Sequence, residues 1–101
     1  MKPILKLMLI TVLIELSYAV NPWEPEAKTD TSWVTKHERM LNQTAAHKND
    51  IKVVFLGDSI TAGWTFVNGT TVWNAHYATR GAYNYGIGGD TTQNVLWRIQ
   101  N

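Results

Sequence analysis

The sequence predicts an α/β domain with a parallel sheet, of which these residues supply the beginning. Three observations carry that expectation. Val53-Val54-Phe55-Leu56 is an unbroken apolar run stopped by Gly57-Asp58, the pattern of a strand buried on both faces. Ala82-Tyr83-Asn84-Tyr85-Gly86-Ile87 is a second strand, rich in aromatic residues and ending in glycines. The connection between them is long enough for helix, and strands joined by such crossovers pair in parallel with a right-handed hand.

Taken in order, the chain opens on Lys2 and Lys6, then the apolar run Leu7 to Ile14, then Ser17-Tyr18-Ala19 at positions a signal peptidase reads. This tripartite pattern predicts a signal peptide over residues 1–19, cut after Ala19, and hence a secreted product. The run falls well short of the ~20 apolar residues that cross a bilayer, and Glu15 interrupts it, so no integral membrane span is expected. Residues 20–31, with Pro22, Pro25 and mixed charge, read as an extended arm. The domain proper is placed at residues 32–101.

Within it, Trp33, His37, Met40 and Leu41 fall at helical spacing between Ser32 and about Ala46, with Thr31 or Ser32 available as cap. Asn68-Gly69 marks a turn, and Val72, Trp73, Ala75, His76 and Tyr77 suggest a short helix. After the tight turn Gly88 to Thr92, a helix is expected over Gln93 to Gln100, with Val95, Leu96 and Ile99 as its apolar stripe. Asp90 with Gln93 resembles a capping box at its start. Two strands do not make a sheet covered on both faces, and Arg98-Ile99-Gln100-Asn101 holds no clear stop signal. The expectation is a domain truncated after its second strand and the following helix.

Composition narrows the function. A chain of 101 residues allows one small domain at most, and removal of the leader leaves 82 residues with seven basic and seven acidic side chains. A neutral chain without clustered basic residues gives no case for nucleic acid as a partner. Cysteine is absent, so no disulfide framework supports the fold, which rests on a modest hydrophobic core. Asn42-Gln43-Thr44 and Asn68-Gly69-Thr70 are acceptor patterns for N-glycosylation, in keeping with the secretory route.

The chemistry centres on two turns. Ser59 follows Gly57-Asp58 at a strand-to-helix elbow, where a hydroxyl meets the free N–H groups of a helix start. Its alternative use is as a helix N-cap, a common role for Ser after a strand. Gly86-Ile87-Gly88-Gly89-Asp90 follows the second strand, and in parallel sheets ligands bind beyond the carboxyl ends of the strands. Neighbouring strands would bring a nucleophile and oxyanion donors to one rim, which is the requirement of acyl transfer.

Other readings of the glycines fail. Thr91 stands where a dinucleotide fingerprint needs Gly, a phosphate loop lacks its Gly-Lys, and Thr61 replaces the last Gly of the lipase elbow. His37, His47 and His76 have no paired spacing, so no metal site is expected.

Together, Val53 to Thr61 and the long block Asn84 to Asn101 resemble the first two blocks of the SGNH (GDSL-type) hydrolases, most closely the platelet-activating factor acetylhydrolase catalytic-subunit group. The resemblance runs weakly from Trp33 and strongly from Lys52. It implies the N-terminal portion of a three-layer α/β/α, flavodoxin-like domain that hydrolyses carboxylic esters without cofactor, on a small ester or lipid-like ester substrate. By matching position, Ser59 is the implied nucleophile, and its own N–H and that of Gly89 the oxyanion donors. Asp58, Gly86, Gly88 and Asp90 are implied to support the two turns. The family's third donor, an Asn, and its Asp-x-x-His base segment have no counterpart here, which implies a domain inactive alone.

Two functions therefore stand side by side: the N-terminal piece of a secreted SGNH esterase, or a short secreted product that binds a partner without catalysis, five Trp providing sticky surface. Ester identity and oligomeric state are not readable from these residues.

Overall fold

A computed structural model describes residues 21–101, so the expected leader and its cleavage point after Ala19 lie outside the described residues. The order is α1 (Thr31–His47), β1 (Val53–Gly57), α2 (Ser59–Ala62), a 3-10 turn (Gly63–Thr65), α3 (Thr70–His76), a second 3-10 turn (Ala78–Arg80), β2 (Ala82–Gly86) and α4 (Thr92–Gln100). The two strands pair in parallel, in register from Val53 opposite Ala82 to Gly57 opposite Gly86. The predicted α/β class with a parallel sheet is thus observed as a small two-stranded sheet.

Side chains alternate across this ladder and meet helices on both faces. On one, the Thr44 and Tyr85 hydroxyls of α1 and β2 lie 2.7 Å apart, and Trp97 of α4 packs on Trp33 and His37 of α1 with ring centroids 5.5 and 5.2 Å away. On the other, Phe55 meets Trp73 and Tyr77 edge-on at 5.3 and 5.6 Å. The buried apolar core comprises Trp33, Ala62, Trp73, Ala82 and Ile87. No helix among the described residues is long and apolar enough to cross a membrane.

Three local expectations are corrected. Asp30, not Thr31 or Ser32, caps α1: its carboxylate accepts the Trp33 N–H at 3.0 Å. A charged acceptor at the positive end of a helix outdoes a hydroxyl. At α4 the cap is Thr91, paired reciprocally with Asn94, in place of Asp90 with Gln93. Asp90 is withdrawn from capping because its carboxylate is bonded to Trp33 and Arg98. The buried stripe of α4 is Asn94 and Arg98, while Ile99 is exposed. Apolarity misplaced that face because its buried groups are polar and satisfied by partners distant in sequence.

β1 is the fourth correction. Val53, Val54 and Leu56 remain 43, 42 and 39% exposed, so the strand is not buried on both faces among the described residues. Among the described residues its second edge carries no strand.

The arm ahead of α1 opens on a turn, Glu24 N–H donating to the Asn21 carbonyl at 3.1 Å, and is tied down. Glu26 N–H donates to the Gln93 carbonyl at 3.0 Å, Asn94 Nδ2 to the Glu26 carbonyl at 2.8 Å, and Thr92 Oγ1 to the Pro22 carbonyl at 2.9 Å. It runs along the start of α4.

His37 gives this core a pH dependence. Burial, then the Arg98 guanidinium, hold its imidazole below the ordinary 6.5, against an opposing pull from Glu38 and Asp90. The unfolded chain therefore takes up a proton that the folded chain refuses. Stability from this group is complete above about pH 6.5 and is lost as pH falls toward the lowered folded value. Urea midpoints measured between pH 7.5 and 5 are expected to fall in the native chain and to fall less in His37→Gln; equal slopes would refute the assignment.

Candidate active site

The elbow is built by division of labour between Asp58 and Ser59. Asp58 is the N-cap of α2, its carboxylate accepting the Ile60 N–H at 2.9 Å. The capping role open to Ser59 is therefore filled by its neighbour. Ser59 is the first residue of α2 and is exposed, its hydroxyl making no hydrogen bond among the described residues and its N–H at a helix start.

The second turn comes against it through Gly86 and Gly88. A Cβ on Gly86 would collide with the backbone nitrogen of Ala62 and stand 2.8 Å from the Asp58 carbonyl oxygen. Only glycine lets β2 end this close to the elbow. A Cβ added on Gly88 would stand 3.7 Å from Ser59 Cβ, which places this turn beside Ser59. Gly89 has φ +81°, and the Asp90 N–H closes the turn onto the Ile87 carbonyl at 3.2 Å, as in a type II turn. Among the described residues the Gly88 and Gly89 N–H groups have no acceptor. A carbonyl oxygen brought to this rim would find unspent donors.

Polar anchors fix the turns from behind. The Asp90 side chain is 0% exposed, with one oxygen 2.7 Å from Trp33 Nε1 and the other 2.8 Å from Arg98 Nε. The same guanidinium donates to the Tyr85 carbonyl at 2.9 Å and the Gly57 carbonyl at 3.2 Å, joining the carboxyl ends of both strands. Asn84 adds a tie, donating to the Thr61 carbonyl at 2.7 Å while its Oδ1 accepts the Gly86 N–H at 2.9 Å. From the arm, Lys28 Nζ donates to the Gly89 carbonyl at 2.7 Å.

Ser59 lines a groove of about 330 Å³ with Phe66, Asn84, Gly86, Gly88 and, from α1, Lys36 and Arg39. A larger hollow of about 960 Å³, bordered by Asn49, Lys52 and Gly81, lies at the opposite end of the ladder and holds none of the candidate residues. The structure thus brings Ser59, Asp58, Gly86, Gly88, Gly89 and Asp90 together. No histidine lines the Ser59 groove: His37 stacks on Trp33 at 5.9 Å, His47 on Tyr83 at 5.8 Å, and His76 ends α3. Asn42 is exposed on α1 and Asn68 in the turn before α3.

Sequence reasoning missed Lys28, Trp33, Asn84, Asn94 and Arg98 as site supports. One signal was present: Asn94 and Arg98 are four residues apart, on one helix face, and Arg98 is opposite in charge to Asp90.

No protein-family model matches the chain. Among curated proteins it is similar to platelet-activating factor acetylhydrolase IB subunit alpha1 of Rattus norvegicus, 33% identical over 76 residues, 75% of this chain and 31% of the relative. The IB subunit beta homolog of Drosophila melanogaster is 35% identical over 77 residues, 76% of this chain and 32% of the relative. The IB subunit alpha2 of Bos taurus is 35% identical over 72 residues, 71% of this chain and 29% of the relative. The chain spans about a third of the length of these relatives.

Proposed function

We propose that the chain carries the nucleophile and two oxyanion donors of an SGNH (GDSL-type) serine ester hydrolase of the acetylhydrolase kind. The carrying observation is the Ser59 hydroxyl, released from capping by Asp58 and set against a Gly88-Gly89 turn with unspent N–H groups. Similarity to proteins named acetylhydrolase subunits supports the same chemistry.

In this reading Ser59 Oγ attacks the ester carbonyl carbon and gives its proton to a base. The oxyanion accepts hydrogen bonds from the Ser59 and Gly89 N–H groups, the alcohol leaves, and water cleaves the acyl-serine. Among the described residues no histidine or carboxylate lines the groove. The base, its orienting carboxylate and a third donor belong, in this proposal, to further sequence of a three-layer α/β/α domain. The open edge of β1, with Val54 and Leu56 exposed, supports that extension, since a third strand and helix would cover it. The product is proposed to be secreted, on the strength of residues 1–19, and to act on a small or lipid-like ester; exposed Ile60 and Phe66 supply apolar surface near Ser59.

An oxyanion site without a base retains a small share of catalysis, roughly 10³-fold over water. A fluorophosphonate probe is therefore expected to label this chain slowly and at Ser59 alone, with all labelling lost in Ser59→Ala. Labelling that survives the substitution, or none over a day, would end the hydrolytic reading. The extent of the domain has its own test: sequencing the transcript beyond the Asn101 codon should reveal an Asp-x-x-His frame.

A second reading, a non-catalytic binding product, is favoured by the exposed Val54, Leu56 and Ile99 surface. It requires the secreted 82-residue chain to be folded and monodisperse; aggregation in light scattering would remove its basis.

A further inference from the structure

We infer that Lys28 is a positioning residue for the Gly89 oxyanion donor and sets a positive charge beside it; the inference rests on the hydrolytic reading above. Lys28 lies in the arm, 61 residues before Gly89. Its ammonium donates to the Gly89 carbonyl at 2.7 Å and stands 3.1 Å from where a Gly89 Cβ would be, on the open face of that residue.

Two features separate this contact from ordinary surface pairing. Asp90 is the nearest carboxylate, yet it lies 3.8 Å from Nζ and is already bonded at 2.8 Å by Arg98, so the lysine is not needed to neutralise it. The arm is also docked without Lys28, through Glu26 and Pro22 onto Gln93, Asn94 and Thr92. What remains for the ammonium is the carbonyl of the Gly89–Asp90 peptide, which adjoins the peptide bearing the Gly89 N–H.

The Gly88–Gly89 peptide beside it needs holding. Gly88-Gly89 forms the centre of a turn in which neither residue has a Cβ to restrict rotation, and Gly89 sits at φ +81°. The peptide that bears the Gly89 N–H is the one whose reversal distinguishes type I from type II turns, and reversal would turn that N–H to the opposite face of the turn. Asp90 N–H on the Ile87 carbonyl fixes the mouth of the turn, and Lys28 fixes the Gly89 carbonyl. One of the two rotors through which Gly89 moves is thereby clamped. The cation, 2.7 Å from the Gly89 carbonyl, also adds positive charge to this turn, which in the hydrolytic reading favours an oxyanion there.

The test compares Lys28→Met, Lys28→Arg and Thr92→Val in the full chain. Thr92→Val removes an arm bond, to the Pro22 carbonyl, that does not involve Gly89. By ¹⁵N relaxation, the Gly89 order parameter is expected to fall from about 0.85 to below 0.6 in Lys28→Met, and to be restored by Lys28→Arg and unaffected by Thr92→Val. Fluorophosphonate labelling of Ser59 should slow about tenfold in Lys28→Met, less than the loss of a whole oxyanion donor, and recover in Lys28→Arg. An unchanged Gly89 order parameter in Lys28→Met overturns the inference, and so does an equal fall in Thr92→Val, which would assign the effect to arm docking. Absent labelling in the unaltered chain counts against the hydrolytic reading, while the Gly89 amide still decides whether Lys28 holds the turn.

Discussion

Replacing Arg98 with Met is expected to lower folding stability by about 3–5 kcal/mol, the penalty for leaving a buried charge without its partner. The Asp90 carboxylate, fully buried, would keep the Trp33 indole and lose the bond at 2.8 Å from Arg98 Nε. The Tyr85 and Gly57 carbonyls would each lose a donor as well. For a domain of this size, whose whole stability is about 4–12 kcal/mol at ordinary values per residue, that loss approaches unfolding. Asp90→Asn should cost less, because the guanidinium keeps both carbonyl acceptors and the amide preserves shape. The double variant should recover part of the Arg98→Met loss, since it removes both charges. Urea denaturation of the three variants gives the ordering. A double variant that loses the sum of the two single effects would show that the groups act independently, contrary to the network described.

That network marks the boundary of what the sequence disclosed. β1, β2 and their parallel pairing were legible because apolar runs and glycine stops are local signals, and the glycine turns at their carboxyl ends identified the rim where Gly86 and Gly88 approach the Asp58-Ser59 elbow. Helix caps were displaced by one residue at both α1 and α4. In each case an acidic group decided the outcome, Asp30 by capping and Asp90 by leaving its cap for a buried ion pair. The polar face of α4 was illegible for a different reason. Asn94 and Arg98 are buried by bonds to Glu26, Asp90, Tyr85 and Gly57, and no window of sequence contains both ends of those bonds. Likewise, the exposure of β1 reflects its having a single strand partner, β2, among the described residues, whereas its composition speaks only for the burial it favours.

Gly86→Ala is expected to damage both the fold and the site with a single methyl. The added Cβ has no flexible side chain to push aside: it meets the backbone nitrogen of Ala62, with the Asp58 carbonyl oxygen at 2.8 Å and Ala62 Cα at 2.9 Å. Relief requires β2 and α2 to move apart, and overpacking of this kind costs about 1–3 kcal/mol. The movement also carries function. Asn84 ties β2 to the Thr61 carbonyl and to the Gly86 N–H, so a shift of Gly86 strains both bonds and draws the Gly88-Gly89 turn from Ser59. Labelling of Ser59 by a fluorophosphonate should therefore fall by about 10²-fold, the scale on which one displaced oxyanion donor acts. Gly63→Ala is the matched control. Its position has helical dihedrals, φ −58° and ψ −22°, and a Cβ there meets nothing within 4 Å. Stability is expected to hold or rise by about 0.4–1 kcal/mol, as for alanine at a compatible glycine, with labelling unchanged. Equal labelling in the two variants would show that close approach of β2 to the elbow is not what arms the site.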